Sequence, residues 1–523
     1  MKNTTIILSF VLFSMSSSPL FAQNPGDNFF NSGAVHDVYI TFSEANWYDT
    51  LQQYKWLDDN LDSTVYLLGN VTIDGTIIDS IGIRFKGNSS YYNYTSDKKP
   101  FKLDFNEFVS GRKFDGLKKL NLNNMYQDPT FMREKLFLDF INQHGLYGPR
   151  AAYSRVFVNG TYWGLYLALD QIDKTFIDRV FGNDTENLFK GDGPGASCAN
   201  LEYHGQLSSY YNCYELKTNE TANNWNDLVN LTAQINNTNS VEFRDSVESV
   251  MNTNSFIGAW ACYNLFCNFD SYPYRFSHNY YTYHNATSNK FEWIVWDAST
   301  AFGNDIPWTI STIENVSIYY IWPQEADRPL TYRMLLDTVY RQTYTDFMCQ
   351  YIQDFTPSIQ NIRIDSLYNM IQPDVYADTK KIYSNTQFDN NINTNINING
   401  TDYPGLKSFI SNRYLSVQNE LVSESCAPLS IIEKSIQPII NLKLFPNPTN
   451  SDLNIVFDGV VGSELEMKIS NPRGQLVYNK TYSTFKKKSQ ALFSTTDLPS
   501  GIYFVSLHDN VGNYITRRFV IIK

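Results

Sequence analysis

Residues 268–305 read NFDSYPYRFSHNYYTYHNATSNKFEWIVWDASTAFGND and predict a β-hairpin. Residues 278–284 alternate in the pattern of a strand, residues 285–289 form a polar turn, and residues 291–296 form a second short strand rich in aromatic side chains. We expect the residues at the open end of this hairpin to build a site.

Three oxygen-bearing side chains lie near the ends of the two predicted strands. Asp270 precedes the hairpin, Asn279 lies near the start of its first strand, and Asp297 follows its second strand. Such ligands suit a hard divalent cation, because Mg²⁺ binds one or two carboxylates, keeps several waters and accepts phosphate oxygens from a substrate. Phosphoryl transfer is the chemistry that this set favours. The competing interpretation is that Asp270 caps a helix and Asp297 starts a turn.

The composition is that of a folded, acidic protein. The chain has 523 residues, of which 42% are hydrophobic and 15% aromatic, so it can bury a large core and is expected to form one large domain with one or two small ones. A formal net charge of −12 argues against a broad surface for nucleic acid or for anionic membrane. We therefore expect no nucleic-acid partner.

Residues 1–22 predict a secretory signal peptide. Lys2 precedes an apolar run over residues 6–15, and Leu20-Phe21-Ala22 indicates cleavage near Ala22. No later stretch reaches the roughly 18 apolar residues that a transmembrane helix needs. We therefore expect no transmembrane segment in the mature chain.

Cysteines in an exported chain are able to form disulfides, and this chain has six. Cys198 and Cys213 bracket a polar loop and are the preferred pair. Cys262 and Cys267 lie in an apolar, helix-like run, where packing in the core is the expected role. The cysteine spacings do not match a zinc site.

Predicted strands dominate the first third of the chain, over residues 66–71, 77–85 and 101–105. After the second of them, the loop Gly87-Asn88-Ser89-Ser90 presents backbone N–H groups, and Arg84 and Lys86 alternate just before it. This arrangement indicates a phosphate-binding loop. The alternative is an ordinary turn that reverses the strand.

A lysine and a glutamate further along are candidates for an ion pair. Lys102 lies in the strand KPFKLDF, and Glu134 lies on a helix that Asp128-Pro129 is expected to open. Protein kinases use such a helix glutamate to orient the lysine that binds phosphate, so Lys102 and Glu134 could form this pair. An exposed Glu134 is the alternative.

Two further patterns concern the fold. Asn159-Gly160 separates two apolar runs and is the strongest signal for a tight hairpin in the chain. Later regions are mainly helical, and the Asn-rich residues 385–399 are predicted to form a surface loop.

Several motifs together resemble the CotH kinase family over most of residues 36–421. They are RFKGNS from Arg84 onward, KKPFKLDF, DPTFMREKLFLDF, VFVNGTYWGLY, and HNYYTYHN followed by FEWIVWDASTAFG. The resemblance implies an α+β protein with an atypical protein-kinase-like fold. It also implies transfer of the γ-phosphoryl group of ATP, with Mg²⁺ or Mn²⁺, to Ser or Thr of exported proteins.

The same resemblance implies a role for each site residue. Asp270 would accept or orient the proton of the acceptor hydroxyl, and Asn279 and Asp297 would hold the metal ion. The residues that it assigns to nucleotide binding are Arg84, Lys86, Asn88, Ser89, Lys102 and Glu134.

Four features differ from the family pattern. Asp270 and Asn279 are nine positions apart, whereas kinases commonly separate these two residues by about five. Ser299 stands where relatives often have aspartate, Asp170 replaces a glutamate and Lys86 replaces an arginine. The alternative function is therefore a surface protein that uses a catalytically degenerate kinase fold for adhesion, or for binding glycans or proteins.

Residues 441–523 predict a small all-β, immunoglobulin-like sandwich of about seven strands, after a linker at residues 423–437. The motifs LFPNPT, KISNPRGQLVYN, LPSGIYFVSL and TRRFVIIK resemble the C-terminal sorting domain of type IX secretion in Bacteroidetes. This resemblance implies the type IX machinery as a partner, and a location outside a Gram-negative cell or on its outer-membrane surface. A carbohydrate-binding sandwich is the alternative.

Overall fold

The computed structural model describes residues 24–61, 63–191, 198–304, 308–323, 327–424, 426, 442–458, 464–471, 476–483, 488–509 and 514–523. The predicted signal peptide and most of the predicted linker lie outside these residues. The chain divides into two compact units, Met1–Pro428 and Leu429–Lys523.

The large unit contains a closed barrel of seven strands. These are β1 (His36–Thr41), β2 (Leu67–Ile73), β3 (Thr76–Phe85), β4 (Phe101–Asp104), β5 (Lys119–Asn123), β6 (Ala151–Val158) and β7 (Thr161–Asp170). They close in the order β1-β2-β3-β4-β5-β7-β6. Successive side chains of a strand face opposite sides, so Phe85, Phe101 and Leu122 fill the interior. Polar neighbours on these strands therefore face outward.

Helices make up most of the rest of the large unit. They are α1 (Asp27–Phe30), α2 (Trp47–Leu61), α3 (Ser89–Tyr92), α4 (Arg133–Gln143), α5 (Lys174–Phe181), α6 (Asn226–Asn236), α7 (Phe243–Val250), α8 (Thr253–Leu265), α9 (Ile310–Glu314), α10 (Pro329–Leu336), α11 (Thr338–Asp354), α12 (Pro357–Ala377), α13 (Asn385–Asn393) and α14 (Leu406–Ser423). Helix α8 is buried along nearly its whole length and forms the centre of this layer. Barrel and helices together confirm the predicted α+β class.

A second sheet carries the predicted hairpin. Its strands are β8 (Leu188–Gly191), β9 (Glu215–Leu216), β10 (Tyr280–Asn285) and β11 (Lys290–Val295), in the order β11-β10-β8-β9, and a separate small ladder joins β12 (Ile396–Ile398) to β13 (Thr401–Tyr403). Strands β10 and β11 pair from Tyr280 opposite Val295 to Asn285 opposite Lys290, which confirms the hairpin. Stacking of the Tyr280 and Trp293 rings, 4.0 Å apart, fixes this register.

Two local predictions had opposite outcomes. The hairpin at Asn159-Gly160 is confirmed, because both residues have the positive φ values, 47° and 79°, that a two-residue turn between β6 and β7 requires. The predicted loop at residues 385–399 is wrong, because residues 385–393 form α13. The side chains of Ser384 and Gln387 cap its first turn reciprocally, and this capping box outweighs the low helix propensity of asparagine.

The cysteine predictions are confirmed, and one disulfide was missed. Cys198 and Cys213 are bonded, and Cys262 and Cys267 are reduced and buried in the helical core. A second disulfide joins Cys349 of α11 to Cys426, across 77 residues of sequence. Sequence spacing does not bring two such distant residues together.

A buried ion pair connects the barrel to the helical layer. Lys98, in the segment before β4, donates to Asp378 at the end of α12 over 2.6 Å, and both side chains are fully buried. Asp378 also accepts the backbone N–H of Leu165 in β7, at 3.1 Å. Gly164 has no side chain to displace this carboxylate, since an added Cβ would lie 2.5 Å from an oxygen of Asp378.

The small unit is an all-β sandwich. Its strands are β14 (Leu442–Phe445), β15 (Asp452–Asp458), β16 (Glu464–Ser470), β17 (Leu476–Ser483), β18 (Lys488–Ser494), β19 (Gly501–Asp509) and β20 (Tyr514–Ile521). One sheet has the order β14-β15-β18 and the other β17-β16-β19-β20, and a single apolar core lies between them. The number of strands agrees with the prediction.

No helix among the described residues is both long enough and apolar enough to cross a membrane.

Candidate active site

The outer face of the barrel carries a group of cations. Arg84 of β3 lies opposite Lys102 of β4, and Lys86 follows Arg84 by two residues, so the three side chains share one face. Burial, followed by the charges of Arg84 and Lys86, holds the pKa of Lys102 well below its usual value. Within the described parts of the chain, no acceptor is bonded to the Lys102 ammonium. A bound anion would relieve this repulsion.

The second sheet adds two lysines to this group. Lys190 of β8 lowers the pKa of Lys86, and Lys217, which follows β9, lowers the pKa of Lys102. Glu215 lies 2.9 Å from Lys217 and 3.9 Å from Lys190, so it neutralises part of their charge. We call Arg84, Lys86, Lys102, Lys190 and Lys217 the cation cluster. Neither Lys190 nor Lys217 was picked out from the sequence, because only tertiary pairing brings β8 and β9 near the barrel.

A relay of side chains joins Lys86 to Glu134 in the first turn of α4. The Lys86 ammonium donates to Oδ1 of Asn123 over 2.8 Å, and Nδ2 of Asn123 donates to Oε2 of Glu134 over 3.0 Å. The lysine beside Glu134 is therefore Lys86, whereas the sequence had suggested Lys102. The reason is register: Lys102 lies opposite Asn121 of β5, whereas Asn123 lies two residues further along, at the end of that strand.

Glu134 is a buried carboxylate close to a second carboxylate. Its pKa is raised to about 7, first by burial and then by the charge of Asp297. Its Oε1 atom is buried, and hydrogen bonds to the carboxyl group from Asn123 and from the backbone N–H of Ala298 oppose this rise in pKa. The pKa of Lys86 is lowered to about 8 by burial, which outweighs the opposing charges of Glu134 and Asp297. Two neighbouring carboxylates suit a divalent cation.

Asp297 is held in a strained conformation at the open end of the hairpin. Its φ of 52° lies in the left-handed region, which costs a non-glycine residue about 1–3 kcal/mol. Its Oδ1 atom accepts hydrogen bonds from Ser299, at 3.2 Å from the backbone nitrogen and 2.7 Å from the hydroxyl. Ser299, which differs from the family pattern, therefore orients this carboxylate.

Asp270 and Asn279 lie together despite their separation in sequence. Nδ2 of Asn279 donates to the backbone carbonyl of Asp270 over 2.8 Å, so the amide oxygen of Asn279 remains available as a ligand. His278 contacts the Asp270 carboxylate at 2.5 Å. The pair Tyr280–Val295 is at the open end of the hairpin. Asn279 directly precedes Tyr280, and Asp297 follows Val295 by two residues. The three candidates Asp270, Asn279 and Asp297 thus lie at one end of the hairpin.

Asn88 and Ser89 are placed at the surface, after the end of β3. They begin the short helix α3, and both are exposed. Gly87 before them has a φ of 83°, and an added Cβ would lie 2.3 Å from the hydroxyl of Ser90. Only glycine fits this turn, and its tightness keeps the loop next to Lys86.

Asp170 is part of a separate ion-pair network. Its carboxylate lies 2.7 Å from Nε of Arg150 and 3.0 Å from a terminal nitrogen of Arg179. The carboxylate of Asp170 is buried because these two arginines compensate its charge. Asp170 is not among the charges that act on Glu134 or Lys86.

The donor set fits a metal that takes part of its shell from a substrate. In the described parts of the chain no group of three or more His, Cys, Asp or Glu side chains forms a cage. The available oxygen donors are instead the carboxylates of Asp297 and the nearby Glu134 and the amide oxygen of Asn279. One or two carboxylates commonly hold Mg²⁺ together with phosphate oxygens and water.

The raised pKa of Glu134 predicts a pH-dependent stability. In the folded state Glu134 keeps its proton up to about pH 7, whereas the ordinary value is 4.5. The folded state therefore binds more protons in this window, so the free energy of unfolding should fall as pH rises, by up to about 1.4 kcal/mol per pH unit from this group. Urea unfolding of wild type and Glu134→Gln, in metal-free buffer from pH 5 to 8, isolates the effect. A constant difference between the two proteins across this range would contradict it.

Two family profiles match the chain. The family described as CotH kinase protein matches residues 83–417, and the family described as secretion system C-terminal sorting domain matches residues 443–523.

Three curated relatives are similar to the large unit. The inner spore coat protein H of Bacillus subtilis is 27% identical over 285 residues, which cover 54% of this chain and 75% of that protein. Spore coat protein homolog 1 and invasin CotH2, both from Rhizopus delemar, are 23% and 26% identical over 34% and 35% of this chain. The matches span only 28% and 30% of those two fungal proteins.

Proposed function

This chain belongs to the CotH kinase protein family and carries a secretion-system C-terminal sorting domain, and on this basis we propose that it is an exported atypical protein kinase. The proposed reaction transfers the γ-phosphoryl group of ATP to Ser or Thr of exported proteins, with Mg²⁺ or Mn²⁺. The observation that carries the proposal is the Lys86–Asn123–Glu134 relay beside Asp297, next to the cation cluster. A lysine coupled to a helix glutamate near a metal-binding aspartate is the arrangement that phosphoryl transfer needs.

In this proposal the cations bind the triphosphate. Lys86 and Lys102 contact phosphate oxygens, and Arg84 supports them while it pairs with Asp58 of α2 at 2.8 Å. Asn88 and Ser89 flank the phosphates from the loop after β3. Asp297 and Asn279 would hold the metal ion, with Glu134 close by, and a bound divalent cation would neutralise charge on the phosphates. Catalysis then depends mainly on alignment and electrostatics.

Asp270 serves the acceptor. The acceptor hydroxyl oxygen forms a bond to the γ-phosphorus while the bond from that phosphorus to the β–γ bridging oxygen breaks. ADP leaves with the electron pair of that bond, and the hydroxyl proton passes to the Asp270 carboxylate. Asp270 is half-buried, with 21% of its side chain exposed, so a protein hydroxyl can reach it.

The proposed kinase-like fold assigns the barrel and the helical layer of residues 36–421 to the two sides of this site. Two features support it: α4 carries the glutamate of the relay, and the metal-binding residues lie at the end of a β-hairpin in the other layer. For the small unit at residues 441–523, two facing antiparallel sheets support an immunoglobulin-like sandwich.

The sorting domain implies export of the chain. We further propose that residues 1–22 are removed as a signal peptide, that residues 423–437 link the two domains, and that the type IX machinery carries the protein across the outer membrane of a Gram-negative bacterium of the Bacteroidetes. The mature kinase would then act at the surface or outside the cell.

The test is phosphoryl transfer by the mature chain, residues 23–523. It is incubated with γ-labelled ATP, Mg²⁺ or Mn²⁺ and casein as a generic acceptor, with Asp297→Asn as the control. We expect label on casein with wild type only, and a rise in melting temperature with ATP and metal. Absence of both effects in wild type would reject the kinase proposal. It would favour the alternative of a degenerate kinase fold used for adhesion, for which the similarity to invasin CotH2 is the supporting observation.

The relay predicts an effect of Asn123 on nucleotide use. In Asn123→Ala, Lys86 and Glu134 lose their shared partner, so Lys86 is no longer held toward the phosphates. We expect kcat/KM for ATP to fall about 10- to 100-fold, the range of a lost oriented charge contact.

Asn121→Ala is the matched control for this prediction. Asn121 lies on the same strand and face, but it donates to Gln171 at 3.2 Å and has no bond to the relay. We expect less than about a tenfold loss in this variant, as for a residue outside the aligned groups. Equal losses in both variants would show that Asn123 has no specific role.

A further inference from the structure

We propose that His278 is the positioning residue of Asp270, holding its carboxylate in the orientation that receives the acceptor hydroxyl. This inference rests on the proposed kinase function and adds a residue to that same site. It concerns the segment from Asp270 to Asn279, which is longer than the corresponding kinase loop.

Two consecutive residues hold Asp270 from two directions. Nε2 of His278 lies 2.5 Å from Oδ1 of Asp270, and Nδ2 of Asn279 donates to the backbone carbonyl of Asp270 over 2.8 Å. A carboxylate only accepts hydrogen bonds, so the proton of this contact lies on Nε2 of His278. The side chain and the main chain of Asp270 are therefore both fixed by the residues that begin the hairpin.

Backbone conformation explains how neighbouring side chains reach the same residue. Asn279 has a φ of 60°, so the chain turns sharply between His278 and Tyr280, the first residue of β10. The segment between is itself ordered, because Ser271 donates to the carbonyl of Asn268 over 2.7 Å and the rings of Tyr272 and Tyr274 are buried. The longer loop thus returns to Asp270 as a compact, packed turn.

The contact with His278 leaves one carboxylate oxygen for the reaction. Among the described residues no donor is bonded to Oδ2 of Asp270, while Oδ1 is engaged by His278. Rotation about the Cβ–Cγ bond of aspartate is soft, so an unheld carboxylate samples a broad range of orientations. A partly exposed Asp270 without His278 would spend little time aligned with an attacking hydroxyl, and misalignment of about 1 Å can cost about 10²-fold in rate.

The inference requires His278 to act through Asp270 and not on nucleotide binding. The contacts that we assign to the phosphates come from Lys86 and Lys102 on the barrel, supported by Arg84, and from Asn88 and Ser89 in the loop after β3. Loss of His278 should therefore lower kcat and leave KM for ATP unchanged. A merely structural role would instead lower the fraction of folded protein, with no selective change of kcat among folded molecules.

The experiment compares wild type, His278→Ala and His278→Gln in the mature chain, with γ-labelled ATP, Mg²⁺ and casein. Glutamine places an amide donor near the position of Nε2, so it is the conservative variant. We expect kcat of His278→Ala to fall about 10- to 100-fold with KM for ATP within about twofold, and we expect His278→Gln to recover most of the loss. The gain in melting temperature on adding ATP and Mg²⁺ should be equal in all three proteins.

A double-variant cycle with Asp270→Asn gives the second readout. If His278 acts through Asp270, then His278→Ala should cause no further loss in the Asp270→Asn background, measured by single-turnover transfer. Three results would each overturn the inference: additive losses of transfer rate in the double variant, equal losses of kcat in His278→Gln and His278→Ala, or a kcat of His278→Ala within about twofold of wild type. Wild type that transfers no label would reject the proposed function itself, and the inference with it. An active wild type with an unaffected His278→Ala rejects only the role of His278.

Discussion

Asp297→Asn is expected to lower kcat for phosphoryl transfer about 10³-fold, equivalent to about 4 kcal/mol of transition-state stabilisation. The substitution keeps the shape of the side chain and an oxygen that can accept from Ser299, but it removes the negative charge that would hold the metal ion. Charge on the transferring phosphoryl group would then be poorly neutralised. Initial rates at saturating ATP, across a range of Mg²⁺ concentrations, measure the effect.

Ser299→Ala is the matched control for this prediction. It removes the 2.7 Å hydrogen bond to Oδ1 of Asp297 but leaves the carboxylate in place. We expect less than about a tenfold loss in kcat, since one neutral hydrogen bond contributes about 1 kcal/mol. An Asp297→Asn protein that is folded and retains more than about a tenth of wild-type activity would contradict the role of Asp297 in metal binding.

Asp378→Ala is expected to destabilise the large unit by about 3–5 kcal/mol, because it leaves the Lys98 ammonium buried without its counter-charge. The variant also removes the acceptor of three backbone N–H groups, those of Leu165, Lys380 and Lys381. Burial already lowers the pKa of Lys98, and Asp378 is the charge that opposes this effect. Urea unfolding followed by tryptophan fluorescence measures the large unit alone, because all nine tryptophans lie in it.

Two variants separate charge from shape at this pair. Asp378→Asn keeps one acceptor oxygen and should lose less stability than Asp378→Ala. In the double variant Lys98→Met with Asp378→Asn no charge remains buried, so we expect it to recover at least about 1–2 kcal/mol relative to Asp378→Ala. Equal stabilities of Asp378→Ala and wild type would show that the pair contributes nothing to the contact between barrel and helices.

Local sequence patterns predicted those elements whose stabilising contacts are close in sequence. Alternating aromatic residues and a polar turn identified the β10–β11 hairpin, and Asn159-Gly160 identified the β6–β7 turn. The same reasoning failed at residues 385–399, where composition suggested a loop. There the two-residue capping exchange between Ser384 and Gln387 starts a helix, and Phe388 and Ile392 pack it into the core.

The candidate site was predicted in part. The sequence predicted which residue types would hold a metal and at which end of the hairpin they would lie. The structure places Asp270, Asn279 and Asp297 at that end. The lysine next to Glu134 could not be read, because the choice between Lys86 and Lys102 depends on how β3, β4 and β5 are paired. Asn123 was not identified from the sequence, and the alternation of polar and apolar residues in Asn121-Leu122-Asn123 is the signal that could have found it.

By itself, the sequence determined the family of this protein, its export, its α+β class and the hairpin in residues 268–305, because each depends on residues that are neighbours along the chain. Only the tertiary structure decided which charges act on one another. Strand register sets Asn123 between Lys86 and Glu134, and a left-handed residue at Asn279 brings His278 back to Asp270. Electrostatic interactions depend on distances of a few ångströms through a partly buried medium, and those distances are set by packing between segments remote in sequence.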